Sequence, residues 1–401
     1  MAGMVSVGLA PLEAESAPTT AVRTTRVRLQ NIDALRGFVM VLMLLDHLRE
    51  TWFLYVPVAD PVDARTAMPA IFLARLAVSL CAPIFVALTG LGVYLFRSNH
   101  TLQETSSYLI KRGLLLMGIE VLYLSPIYWV KWPPMLWLQV IWCIGICMIV
   151  LAGLIRLPRP ALIGLGLAIV CGHNLLDSIQ LDPAHPLFVL WAELHQRDLI
   201  ALPFGALAKT SYPVLPWIGV MVLGYGVGPW FVSKVEPQTR QRHLLALGVG
   251  MIVAFFVLRT LNVYGDKPWF FVEGSPMRSA MSFFALTKYP PSLLFLLLTL
   301  GVGAILLVVF ERVRSARVTD ALSVFGGAPM FFYLFHLTLL RILYHIALAI
   351  WGANQGESFG VSNYGWVLVW YFALLLPLYV PTAWFSRLKR RRRDIAWLKY
   401  F

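Results

Sequence analysis

Two polar side chains in the first apolar segment have types and a spacing that suit chemistry. Arg36 and His47 lie eleven residues apart in NIDALRGFVMVLMLLDHLRETWF. On an α-helix this is about three turns and about 16.5 Å of rise, so both side chains point to one face. A guanidinium binds phosphate through a planar fork of donors, and a neutral imidazole accepts a proton from a hydroxyl or an amine. The alternative is a topogenic arginine and a histidine that only bonds to a neighbouring helix.

The carboxylates near this pair have different expected roles. Asp33 precedes Arg36 by three residues, which favours an ion pair on one helix face. Asp46 joins His47 as a candidate catalytic residue, although adjacent helical positions do not face each other. A carboxylate from another segment, such as Glu120, is the alternative group that would orient the imidazole.

Other ionisable side chains also lie inside apolar segments. Burying such a group in a membrane costs free energy, so each one is a candidate functional residue. They are Arg75, Glu120, Arg259, His336, Arg341 and His345. We predict His336 as a third catalytic candidate, with Tyr333 beside it. Glu120, Lys288 and Tyr289 are the predicted substrate contacts, although a tyrosine at this place also suits an interfacial aromatic belt.

The elements that must position these residues are membrane helices. Hydrophobic residues make up 59% of the 401 residues, charged residues make up 13%, and the mean hydropathy is +0.73, which excludes a soluble domain. We therefore predict an all-α fold, a polytopic integral membrane bundle of about ten transmembrane helices. The predicted spans are 32–52, 69–96, 108–130, 135–155, 161–178, 212–233, 244–264, 290–311, 321–350 and 364–386.

The arrangement along the chain predicts one membrane domain between two short tails. Residues 1–30 carry charges without a sustained apolar run, so we expect a disordered cytoplasmic tail and no cleavable signal peptide. The membrane domain covers 31–387, and 388–401 forms a basic tail. Most of the 33 Lys and Arg residues flank one set of span ends, which places both termini in the cytoplasm. Residues 187–207 are predicted to be a loop, with a re-entrant or interfacial segment as the alternative.

The charge and the cysteines need no further partner. The net charge of +13 is concentrated at predicted cytoplasmic span ends, where anionic lipid headgroups attract it, so no nucleic acid is expected. The four cysteines all lie in apolar runs, where a thiol behaves as a small hydrophobe, and we expect neither a disulfide nor a metal.

Several motifs resemble one membrane enzyme superfamily. NIDALRGFVMVLMLLDH resembles the first-helix signature of the transmembrane acyltransferases, and Arg36 and His47 match the Arg, ten residues, His pattern of the acyltransferase-3 group. SLCAPIFVALTGLGVYLF, YLIKRGLLLMGIE and LWLQVIWCIGICMIV resemble successive helices of the heparan-α-glucosaminide N-acetyltransferase catalytic-domain family. TKYPPSLLFLLLTLG and FGGAPMFFYLFHLTLL are similar to stretches of its bacterial members, so the resemblance covers most of 31–345.

The resemblance implies transfer of an acetyl group from cytoplasmic acetyl-CoA to the amine or hydroxyl of an extracytoplasmic saccharide or glycoconjugate. By position, His47 is implied as the catalytic base, and Arg36 and Arg112 are implied to hold CoA phosphates. Asp33 and Lys111 join this cofactor-binding set. The bacterial inner membrane is the implied location. The implied reaction is direct transfer, with an acetyl-histidine intermediate as its variant.

The chain differs from the animal heparan enzyme at His47. The animal enzyme resembles this chain but has an asparagine at that position, and its proposed catalytic histidine lies in the following loop. That loop reads RETWFLYVPVADPVDARTAMPA here and has no histidine. His47 therefore takes its implied role from the acyltransferase-3 pattern.

Two other functional classes remain open from the residues. A secondary transporter of a lipid, polyol or envelope precursor would also have about ten spans with buried charges. A non-enzymatic scaffold leaves those charges unexplained. A homodimer is one open arrangement of the chain.

Overall fold

The structure is a computed structural model that describes residues 20–53, 55, 64–128, 134–313, 316–392 and 394–401. The predicted tail lies outside the described residues up to residue 19, and a helix begins at Thr20 within it. In the described part of the chain the α-helices are α1 Thr20–Trp52, α2 Pro69–Val78, α3 Cys81–Arg97, α4 Leu102–Ile119, α5 Ser125–Tyr128, α6 Val140–Leu154, α7 Arg159–Gly172, α8 Phe188–Leu194, α9 Leu215–Gly226, α10 Pro237–Leu261, α11 Pro276–Phe284, α12 Leu293–Arg312, α13 Ala316–Gly327, α14 Pro329–Trp351 and α15 Tyr364–Arg391.

A small sheet corrects the all-α prediction. Its strands are β1 Met135–Leu138, β2 Leu199–Ala201 and β3 Leu207–Thr210, in the order β1-β3-β2. β3 pairs parallel with β1 and antiparallel with β2. A short apolar run such as MLWL gives no periodicity that separates a strand from a buried helix, so 135–138 was predicted as part of a span. Residues 187–207 form α8, β2 and the start of β3.

Six helices within the described ranges are long and apolar enough to cross a membrane. They are Pro69–Arg97, Arg159–Leu176, Pro237–Leu261, Leu293–Arg312, Pro329–Trp351 and Tyr364–Arg391. The chain is therefore a mostly helical, multi-pass membrane protein. Of the remaining predicted spans, 32–52 lies within the continuous helix α1. The other three overlap shorter or interrupted helices: a π-helical turn at Glu120–Leu124 divides α4 from α5, and α6 and α9 are short apolar helices.

α1 is the helix around which the site is built. It packs against α2, α3, α12, α13, α14 and α15. Leu35, Val39, Met40, Leu44 and Leu48 on α1 are each at most 1% exposed. Helix positions four or five residues apart thus form one continuous buried face, which fixes the rotation of α1 and the direction of its polar side chains.

Glycine allows a close approach between α1 and α13. A Cβ atom at Gly37 would lie 1.8 Å from the Leu322 carbonyl oxygen, and one at Gly326 would lie 1.8 Å from the Asp33 carbonyl oxygen. Small residues at such contacts let helix backbones approach closely, as is common in membrane bundles. The polar end of α1 that carries Asp33 is therefore held directly against α13.

Arg259 has a structural role. It is 1% exposed and donates to the carbonyl oxygens of Phe283, Lys267, Ser282 and Ala285 at 2.7–3.1 Å. These carbonyls belong to the segment between α10 and α12, so the guanidinium satisfies backbone acceptors and fixes this segment, which leads to Lys288.

Candidate active site

His47 and His336 lie side by side, on α1 and α14. Nδ1 of His47 is 2.7 Å from Nε2 of His336, and the two rings are stacked with centroids 5.0 Å apart. His336 is fully buried, while His47 is half-buried. The two sequence-predicted histidines therefore form one unit, with His336 on the inner side.

The second hydrogen bond of His336 determines which ring nitrogens carry protons. Nδ1 of His336 lies 2.6 Å from the Phe332 carbonyl oxygen. A carbonyl only accepts, so this Nδ1 carries the proton, and Nε2 of a neutral His336 accepts from Nδ1–H of His47. The remaining nitrogen of His47, Nε2, then has its lone pair free, which is the state that a general base requires.

Asp46 is turned away from this pair and binds two arginines. Arg75 donates to both carboxylate oxygens at 3.0 and 3.2 Å, and Arg49 donates to Oδ1 at 3.1 and 3.2 Å. Asp46 and Arg49 are both buried. The two guanidinium groups neutralise the buried carboxylate and tie α1 to α2, so the geometry gives Asp46 a structural role next to His47 and no direct relay.

Glu120 has a partner at the start of α6. Its carboxylate accepts from the Trp142 amide at 3.4 Å and also faces the amides of Ile141 and Gln139. The first amides of a helix lack partners within the helix, and a carboxylate satisfies them and complements the helix dipole. Glu120 therefore caps α6. The residue that orients the His47 imidazole is His336, in place of Glu120, which the sequence had left as the alternative.

Lys288 and Tyr289 lie beside the histidine pair, just before α12. Lys288 is only 7% exposed, and its charge acts on both Asp46 and His47. The Tyr289 hydroxyl donates to the Tyr212 hydroxyl at 3.0 Å, and the guanidinium of Arg197 lies 4.9 Å from the centre of the Tyr289 ring. These side chains form an aromatic and cationic rim, which we call the outer rim, at the His47 end of α1.

The opposite end of the polar stripe holds Arg36. Its guanidinium donates to Asp33 at 3.0 Å and to the Leu88 carbonyl oxygen at 3.2 Å. The predicted ion pair with Asp33 is thus confirmed. These two bonds orient the guanidinium between α1 and α3. It lies about three helical turns along α1 from His47.

Arg112 on α4 joins this basic end. It donates to the Tyr108 hydroxyl at 2.7 Å, and its Nε atom is buried with no partner among the described residues. Lys389 near the end of α15 lies within electrostatic range of Arg112 and Arg36. Lys111, one position before Arg112, is exposed. An unpartnered buried donor beside two further cations fits a phosphate group, which accepts several such bonds.

The contact between His47 and His336 was not predicted from the sequence, and neither were the positions of Lys389 at the basic end and of Tyr212 and Arg197 in the outer rim. The contact joins residues 289 positions apart. The free lone pair on His47 can accept a proton at one end of α1, while the cations at the other end can bind an anion.

The chain is similar to a known protein family. No individually curated protein matches the chain. The family model for heparan-alpha-glucosaminide N-acetyltransferase, catalytic, matches residues 28–265, which is more than half of the chain. The match includes Arg36, His47 and Arg112 and ends before Lys288 and His336. The resemblance to this family is thereby confirmed, and the chain belongs to the heparan-alpha-glucosaminide N-acetyltransferase catalytic-domain family, which makes it a membrane acetyltransferase-like protein.

Proposed function

We propose that this protein transfers an acetyl group from cytoplasmic acetyl-CoA to the amine or hydroxyl of a saccharide on the other side of the membrane. The observation that carries the proposal is the hydrogen-bonded chain from Phe332 through His336 to His47, which leaves Nε2 of His47 free as a base. Family membership supplies the reaction class.

The donor is bound at the basic end of the stripe in this proposal. Arg36, Arg112 and Lys389 attract the phosphates of CoA, and the buried Nε of Arg112 supplies an unused donor. CoA is a long molecule with its phosphates and its thioester at opposite ends. It therefore suits a site in which the base lies about 16.5 Å along α1 from Arg36.

The chemical step is a direct transfer. Nε2 of His47 takes the proton from the acceptor amine or hydroxyl while the nitrogen or oxygen attacks the thioester carbonyl carbon. The C–S bond then breaks, the acetyl group stays on the acceptor, and the CoA thiolate leaves with the proton from His47. In this proposal the buried Lys288 ammonium, whose charge acts on His47, favours the negative charge that develops on the carbonyl oxygen.

The acceptor meets the base from the outer rim. Arg197, Tyr212 and Tyr289 offer an aromatic face, hydroxyl groups and a cation, which are groups that bind sugars and their acidic substituents. We propose a bacterial inner membrane location, ten spans with both termini in the cytoplasm, and anionic lipids around the basic span ends.

Release of CoA tests the proposal. The full-length protein in detergent, given acetyl-CoA and a panel of amino sugars, should release CoA only when a suitable acceptor is present. His47→Ala should reduce release by about 10²–10⁴-fold, the usual contribution of a general base. His100→Ala, at an exposed histidine between α3 and α4, is the control and should be unaffected. Unchanged release in His47→Ala would overturn the proposal.

The requirement for acetyl-CoA distinguishes the proposed transferase from a transporter. Proteoliposomes that contain a transporter would move a sugar or lipid precursor without acetyl-CoA. The proposed transferase should show no flux of unmodified acceptor, and flux without acetyl-CoA would favour transport.

A further inference from the structure

A second cluster of chemistry-bearing side chains lies away from the histidine pair. His173 follows α7, Asp177 lies four residues later, and His195 follows α8. One ligand atom from each of these residues lies within 4.8 Å of the other two. Nε2 of His195 is 2.9 Å from Oδ1 of Asp177, and the two imidazole rings are 5.7 Å apart.

Both histidines are buried and largely without partners. His173 is 1% exposed and His195 is 2% exposed. Both ring nitrogens of His173, and Nδ1 of His195, are buried and lack a hydrogen-bond partner among the described residues. Buried polar atoms are normally satisfied, so two adjacent imidazoles with three unpartnered nitrogens indicate a ligand.

We propose that His173, Asp177 and His195 bind a divalent transition-metal ion of the zinc class. Two neutral imidazoles and one carboxylate are a common donor set for such ions, and three protein ligands leave a fourth position for water. Bonds of about 2.0–2.2 Å in a tetrahedron put the ligand atoms about 3.3 Å apart. The present ligand atoms lie within 4.8 Å of one another, so the separations need to change by at most about 1.5 Å to reach this geometry.

The surroundings of Asp177 suit a ligand role. Asn174 donates to Oδ2 of Asp177 at 2.9 Å, and the oxygen of the same amide accepts from the Leu293 amide at the start of α12 at 2.8 Å. Oδ1 is left to face His195. Hydrogen bonds of this kind fix the orientation of a metal ligand and tune its affinity.

The ion would join two parts of the outer structure. It would link the end of α7 to the loop after α8, two residues before Arg197, which lies over the Tyr289 ring of the outer rim. The same loop is held by Gln196, whose side chain bonds the amide and the carbonyl of Leu181. The metal site would thus position Arg197 in the outer rim. Metal binding itself does not depend on the proposed acetyl transfer.

No metal was expected from the sequence, and the spacing of these three residues along the chain does not bring them together. The spacing from 173 to 177 places two ligands one turn apart, but the third lies 18 residues further on and only the fold brings it close. The alternative is an Asp–His hydrogen bond with no ion.

Metal content of the full-length protein tests this proposal. The protein is purified in detergent through a tag without histidines, dialysed against Zn²⁺, and analysed by elemental mass spectrometry. We expect one Zn²⁺ per chain in the wild type and in His185→Ala, a control at an exposed histidine between α7 and α8. His173→Ala and His195→Ala should bind Zn²⁺ at least about 100-fold more weakly. Equal binding by these variants, or none by the wild type, would overturn the proposal.

A second measurement holds even if the alanine variants fail to fold. Titration of the wild-type protein with Co²⁺ should give the visible absorption bands of a four-coordinate ion with nitrogen ligands, and added Zn²⁺ should remove them. His185→Ala should give the same bands, and Asp177→Asn should weaken them. Octahedral-type spectra throughout the titration would contradict a site built from these three residues.

Discussion

Nε2 of His336 lies 2.7 Å from Nδ1 of His47, and this contact between α14 and α1 sets the protonation of the inferred base. The Phe332 carbonyl oxygen accepts from Nδ1–H of His336 at 2.6 Å. When both imidazoles are neutral, only one placement of their protons satisfies both hydrogen bonds. His47 then presents Nε2 without a proton. His336 acts on the reaction through His47 and is a positioning residue.

Replacing His336 should lower kcat without changing the donor site. His336→Leu removes the acceptor for Nδ1–H of His47, and we expect kcat to fall about 10- to 100-fold, the effect of losing a group that orients an imidazole in metal sites. The KM for acetyl-CoA should stay close to that of the wild type, because the basic end lies about 16.5 Å away along α1. Steady-state CoA release at varied acetyl-CoA measures both constants.

His336→Gln is the matching conservative variant. Its amide oxygen can accept from Nδ1–H of His47, so it should recover part of the kcat lost in His336→Leu. His345→Ala, at an exposed histidine on the same helix, should behave as the wild type. Equal loss in the leucine and glutamine variants would mean that His336 only fills space.

Removing Arg112 should weaken donor binding. Arg112→Ala is expected to raise the KM for acetyl-CoA about tenfold, the effect of losing about 1.4 kcal/mol from a charged hydrogen bond. Acetyl-pantetheine lacks the nucleotide phosphates, so its KM should change much less. Lys111→Ala removes an exposed cation one position earlier and is the control. Equal effects of Arg112→Ala on both donors would place the arginine outside the phosphate site.

Gly326 should tolerate no side chain. In Gly326→Ala the added methyl group would lie 1.8 Å from the Asp33 carbonyl oxygen, so α1 and α13 must move apart. We expect a destabilisation of about 1–3 kcal/mol from this overpacking. Gly118→Ala on α4, where a Cβ has no neighbour within 4 Å, is the control. Thermal unfolding in detergent compares the two, and identical melting temperatures would refute the close contact.

Glu104 should make the stability of α4 depend on pH. Hydrogen bonds from the Thr101 backbone amide and hydroxyl lower the pKa of the Glu104 carboxyl below its ordinary value. A lowered folded-state pKa contributes stability above the unfolded value of about 4.3 and loses it as the pH falls through the folded value. The wild type should therefore melt above Glu104→Gln at pH 7 and match it near pH 3.

The control for this pH series is Glu357→Gln, at an exposed glutamate outside the helices. Its melting temperature should follow the wild type at every pH. A difference between the wild type and Glu104→Gln that grows on acidification would give the opposite sign and exclude the capping interaction.

The sequence was sufficient where the contacts are local. The bond between Asp33 and Arg36 follows from a three-residue spacing on a helix, and the separation of Arg36 from His47 follows from helix rise. Membrane helices follow from the length of the apolar runs. Each of these inferences depends on one segment only.

Contacts between distant segments needed the structure. The partner of His47 was open because many polar side chains in other spans are compatible with the same apolar pattern. The role of Glu120 was open because the sequence alone does not distinguish a carboxylate that binds a substrate from one that caps a helix N-terminus. The strand Met135–Leu138 was hidden in an apolar run, and the cluster of His173, Asp177 and His195 arises only when α7 and α8 come together.

Transfer across a sealed membrane tests the central claim most directly. Vesicles that hold the protein in one orientation receive acetyl-CoA labelled in its acetyl group on the side of Arg36 and an amino-sugar acceptor on the side of His47. We predict labelled acetyl-sugar on the His47 side for the wild type, and a loss of about 10²–10⁴-fold in His47→Ala. Product that forms only when both reactants share one side, or full transfer by His47→Ala, would contradict it.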